Sequence, residues 1–129
     1  METEFKITRR LRELFSVYFE NYTLEQLNKI PVGFNNNLIW NIGHIIVSQQ
    51  SLVYKGSGLP ANIDEVLFSL YARGTKPERD ITQAEADELK TLLFSLTEKT
   101  EDDYASGLFT TTMHAKASLV FRWIRLPML

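Results

Sequence analysis

The chain has 129 residues, 44% of them apolar and 23% charged, with a formal net charge of −2. A domain of this size buries enough surface to fold without covalent staples, and this composition excludes general disorder. Cysteine is absent, which excludes disulfides, thiolate nucleophiles and Cys-type zinc or iron–sulfur centres.

No stretch of 18 apolar residues occurs, and the longest apolar run, 38–47, is broken by Asn41, Gly43 and His44. A transmembrane helix is therefore not expected. The opening METEFK carries acids and no apolar stretch behind them, unlike a secretory leader. A soluble cytoplasmic chain is the expectation. Charge is uneven: all 16 acids lie at or before Asp103, against 11 of the 14 Lys and Arg, and only Lys116, Arg122 and Arg125 follow. Three cations beside an acidic body are too few for a nucleic-acid footprint, and neither nucleic acid nor membrane is expected as a partner.

The first element is a helix over residues 4–22. Ile7, Leu11, Leu14, Phe15, Tyr18, Phe19 and Tyr22 recur at spacings of three and four as one apolar stripe. Arg9, Arg10, Arg12 and Glu13 fall off it. Thr23 and Gln26 form a capping box for a short helix, 24–29, which stops before Pro31. Asn37 is the N-cap of a long helix over 38–54, ended by the Gly56, Gly58 and Pro60 cluster. Asp64 caps another short helix carrying Val66, Leu67, Leu70 and Tyr71. Thr82 and Glu85 form a second capping box, opening a helix with Leu89, Leu92, Leu93 and Leu96 that runs to about Asp103. A short amphipathic helix is expected over 115–124. Successive helices joined by short loops point to a bundle.

The second long helix carries the chemistry. Asn37, Asn41, His44, Ser48, Ser51 and Lys55 step by three and four down one line, and most of the remaining circumference is apolar. Such a line faces either solvent or a polar cavity inside the bundle. His44, mid-line, is a candidate metal ligand or base. Only one other histidine exists, His114, in the uncertain last stretch, and there is no HxxxH or HExxH pair. The acids Glu101, Asp102 and Asp103 read as a solvated surface, because consecutive helical residues diverge. Trp40 and the phenylalanines read as core.

Residues 34–50 (FNNNLIWNIGHIIVSQQ), with Tyr54 and 57–60 (SGLP), resemble the DinB-like superfamily of metalloenzymes. Supporting matches run through 24–31, 74–77, Glu85, Leu89, Lys90, Leu92, Leu93, Asp103, Tyr104 and 107–109. The resemblance implies an all-α, up-down-down-up four-helix bundle. It implies a divalent metal, nickel or zinc, held by the histidine of the Gly-His motif, here His44, and by a His-x-x-x-His pair on the fourth helix. It also implies metal-dependent thiol S-transferase chemistry on a small-molecule thiol.

The resemblance ends at Phe109, and no histidine pair follows. The expected organisation is a helical domain over 1–109 and an atypical basic tail over 110–129. The fourth helix would be truncated or replaced, as by a shifted reading frame. One of three expected histidine ligands is present, and no catalytic residue is assigned. Three functions follow: a family member whose metal site is incomplete, a metal-free bundle serving interaction or structure, or a binder of anionic surfaces through the basic tail. A homodimer covering the missing helix's place is the expected assembly.

Overall fold

A computed structural model describes residues 2–109, and every described element is helical. In chain order these are α1 (Glu2–Asn21), α2 (Leu24–Asn28), α3 (Leu38–Val53), a 3-10 turn (Lys55–Ser57), α4 (Glu65–Tyr71) and α5 (Gln83–Ala105). The all-α expectation holds. The helix expected over 115–124, His114 and the basic residues Lys116, Arg122 and Arg125 lie outside the described residues. No helix among the described residues is long and apolar enough to cross a membrane.

The helix starts follow from their caps. Thr23 and Thr82 each accept from the amide three residues on, and Gln26 and Glu85 reach back to close both capping boxes. Asn37 accepts from the Trp40 amide and Asp64 from the Leu67 amide. After α3 the chain closes a 3-10 turn whose C-cap, Gly58, has φ +77°, a left-handed position that a side chain would strain.

Side-chain contacts settle the topology. At one end, the Asn28 amide both donates to the Ile81 carbonyl and accepts from the Ile81 amide. Asn37 donates to the Asn28 carbonyl. The starts of α3 and α5 are thereby tied together. At the other end, Tyr54, just past α3, donates to Asp103 near the end of α5. Hence α3 and α5 run parallel, and the 3-10 turn and α4 fill the long crossover that parallel helices require. Phe5 packs on Tyr104 (5.7 Å, edge-on), Arg9 pairs with Glu101 at 2.7 Å, and Glu20 with Lys90 at 3.9 Å. Thus α1 runs antiparallel to α5: up, down, down for the three long helices.

The main core joins Ile39, Ile42, Ile46 and Val47 of α3 to Phe68 and Tyr71 of α4 and to Ala86, Leu89, Leu93 and Leu96 of α5. The stripe expected on α1 is covered only in part. Its most buried line is instead Phe5, Thr8, Arg12 and Ser16, while Leu14 and Tyr22 stay exposed. At 100° per residue, Phe5 and Arg9 place α5 against the flank that carries Arg12. The apolar stripe is turned roughly a quarter-circle from that flank. Packing against α5, not hydrophobicity, decides which face of α1 is inside.

The acids at the end of α5 are not a plain solvated surface either. Glu101 holds Arg9, and Asp103 accepts from Tyr54 and Lys99. These bonds hold α5 to α1 and to the end of α3.

Candidate functional site

Most of the polar line of α3, from Asn41 to Ser51, is half-buried. Asn41 donates to the Asn37 carbonyl and to the Asn36 side chain. Val53 and Gln49 face α5, so His44, five residues before Gln49, lies on a flank turned away from α5. Neither expectation for the line, open solvent or closed cavity, describes it fully.

His44 is held on three sides. Its Nδ1 lies 2.9 Å from the Tyr71 carbonyl oxygen. A carbonyl only accepts, so Nδ1 carries the proton and Nε2 keeps its lone pair. The Ser48 hydroxyl, one turn on and 3.3 Å from Nε2, donates to that lone pair. Trp40, one turn back, stacks on the imidazole at 4.7 Å and 10°. The Trp40 indole N–H is anchored in turn to the Thr75 hydroxyl at 3.1 Å. Tyr71 reaches this place because residue 43 is glycine: a Cβ there would stand 2.5 Å from the Tyr71 ring. Gly43 and His44 act as one device. The first lets α4 come close, and the second bonds the carbonyl that arrives.

This imidazole has the form of a metal ligand, with one nitrogen fixed by a backbone carbonyl and the other carrying a lone pair that the Ser48 hydroxyl occupies. The surrounding donor set is not that of a metal centre. Among the described residues no three His, Cys, Asp or Glu side chains gather, and the whole sequence holds two histidines and no cysteine. Divalent zinc in a catalytic site takes about three protein ligands. His44 fits a metal as one ligand, and the described residues do not fit a closed centre.

Beyond Trp40 lies a cavity of about 660 Å³, lined by Trp40, Leu70, Tyr71, Thr75, Lys76 and Arg79 among others. His44 does not line it. Arg79 is engaged in a two-point pair with Glu85 (2.9 and 2.7 Å). Burial pushes the Tyr71 hydroxyl up to about 12, with Glu85 adding to it, so this phenol stays neutral across physiological pH. Tyr54 is likewise raised to about 12, by burial and by its bond to Asp103.

Two groups that the sequence reading did not single out are the most unusual in the interior. Arg12 is 2% exposed and its Nη1 has no partner. Thr8 is fully buried and its Oγ1 has none either. Burial lowers the Arg12 pKa to about 10, which leaves it charged at neutral pH. The four-residue spacing of Thr8, Arg12 and Ser16 was the available signal. It was hidden because an arginine beside an apolar stripe reads as solvent-facing.

The chain matches the DinB superfamily over residues 7–124, a span that runs past Phe109, where the residue-by-residue resemblance ended. No curated protein matches it, and no solved structure does. The match covers far more than half of the chain, and the three long helices run in the order that resemblance implied: the chain belongs to the DinB superfamily.

Proposed function

We propose that the chain is a DinB-superfamily scaffold that keeps one ligand position of a divalent-metal site, His44, without completing a catalytic metal centre of its own. The observation that supports this reading is the locked imidazole. Nδ1–H is committed to the Tyr71 carbonyl and Nε2 carries the lone pair, yet no group of three His, Cys, Asp or Glu side chains gathers among the described residues. One imidazole binds Zn²⁺ or Ni²⁺ weakly, because affinity comes from several soft or borderline donors acting together. A thiol S-transferase activity is accordingly not expected from the chain alone.

The test is the metal content of the purified protein beside a His44→Ala control. Both are expected to retain far less than one divalent ion per chain. Retention near one ion per chain, lost in His44→Ala, would show that ligands from elsewhere complete the site and would overturn the scaffold reading in favour of a metalloenzyme.

An interaction role is the second reading, favoured by the exposed apolar side chains Leu14 and Tyr22 on the uncovered stripe of α1 and Leu52 on α3. In that reading a second copy covers the stripe. Sedimentation at high concentration would then give a dimer mass, and a monomer mass would remove the idea.

A further inference from the structure

Arg12 and Thr8 lie one turn apart on the same buried face of α1. Arg12 Nη1 and Thr8 Oγ1 have no hydrogen-bond partner among the described residues. The contrast with their surroundings is sharp. Buried threonines inside a helix ordinarily return the hydroxyl proton to the carbonyl four residues back. Thr97 and Thr100 of α5 do so, at 3.1 and 2.9 Å. Thr8 does not. A guanidinium removed from water needs a counter-charge and acceptors for its five N–H donors. Three acids along α1 and α5 are already committed: Glu101 to Arg9, Glu13 to Arg10 and Asp103 to Tyr54 and Lys99. Residues 110–129 contain no Asp or Glu, so that stretch brings no carboxylate side chain. The contacts of Phe5 with Tyr104 and of Glu20 with Lys90 set the antiparallel register of α1 on α5. It places Arg12 at the height of Thr97, within the seam between the two helices.

We propose that Arg12 and the Thr8 hydroxyl receive a small oxyanion, a carboxylate or a phosphate, in the seam between α1 and α5. The planar fork of arginine matches the two oxygens of such a group, and the free hydroxyl supplies one further donor. The proposal is independent of the His44 reading, since it uses neither α3 nor a metal.

The experiment is thermal unfolding of the full chain at fixed ionic strength in chloride, titrated with acetate and, separately, with phosphate. One of the two is expected to raise the midpoint saturably, as a ligand of the folded state does. General exclusion of salt from the surface gives instead a response without saturation. In Arg12→Met the saturable part should vanish, and in Thr8→Val the apparent affinity should fall several-fold. Which anion acts identifies the source as a carboxylate or a phosphate. A response equal in all three salts, or a saturable response surviving in Arg12→Met, would overturn the proposal. Should Arg12→Met not fold, Arg12→Lys and Thr8→Val carry the test, and undiminished affinity in both would overturn it equally.

Discussion

Two sets of buried polar side chains sit in this bundle, Gln49 and Gln50 on α3 and Thr8 and Arg12 on α1, and they end in opposite conditions. On α3, Gln50 is fully buried and bonded at both of its polar atoms: its Oε1 accepts from the backbone and side chain of Asn62, and its Nε2 donates to Gln49. Gln49 goes on to Thr100, which also meets Tyr54. On α1, Arg12 and Thr8 are as deeply buried, and Arg12 Nη1 and Thr8 Oγ1 have no partner among the described residues. Both sets are polar side chains removed from solvent on long helices, so burial does not separate them. The difference lies in what packs opposite. The crossover through Asn62 and α4 brings backbone groups and amides to α3, whereas Thr97 of α5, at the height of Arg12, already returns its hydroxyl proton to the Leu93 carbonyl of its own helix. A satisfied network rigidifies a core, and an unsatisfied one marks where another group belongs.

The comparison can be tested by placing the same kind of apolar side chain at each site. Gln50→Leu leaves the buried Gln49 oxygen without its donor and is expected to cost about 1–3 kcal/mol, from desolvation of that group. Urea unfolding measures it. Arg12→Met, by contrast, removes a charge that no bond compensates and should be neutral or stabilising in anion-free buffer. Equal losses at the two positions would erase the distinction.

Gly43→Ala is the next largest expectation. Its Cβ meets the Tyr71 ring at 2.5 Å, so α4 must retreat, at about 1–3 kcal/mol for overpacking. That outweighs the gain of roughly 1 kcal/mol from replacing a helical glycine with alanine. The shift should also loosen the bond from His44 to the Tyr71 carbonyl, visible as a changed imidazole resonance in NMR. A net stabilisation would mean that Tyr71 does not rest on Gly43.

The smallest effect belongs to the start of α5, which serves both regions. The Arg79 side chain, then the Thr82 amide, hold the Glu85 carboxyl down to about 2 from 4.5. A lowered folded-state pKa contributes stability that is full above about 4.5 and lost as pH falls toward 2. Because the pair is largely in solvent, the contribution is about 1 kcal/mol or less. Glu85→Gln should therefore lose less stability than the parent chain between pH 5 and pH 2.5, measured by denaturant midpoints at each pH. An identical acid profile would remove Glu85 from the account.

The helices and their limits were legible in the residues, and so was the candidate ligand. Both capping boxes, the Asn37 and Asp64 caps and the glycine after α3 are local devices, complete within a few residues of chain. Each appears where the spacing puts it. The polar line with His44 at its middle was equally plain, because helical periodicity needs no partner to be read. The role of Gly43 was not, since it depends on a tyrosine 28 residues later arriving against it.

Sequence by itself thus determined the elements, their caps and the position of the imidazole, all set by interactions within a turn or two of helix. Only the tertiary structure decided which face of each helix is inside. The α1 stripe stayed half-covered while Arg12 went under, because burial is a property of the neighbour that packs on a face, and that neighbour, α5, lies some 90 residues away along the chain. Likewise, the proton on His44 is placed by the Tyr71 carbonyl, a partner that exists only once the crossover has folded back onto α3.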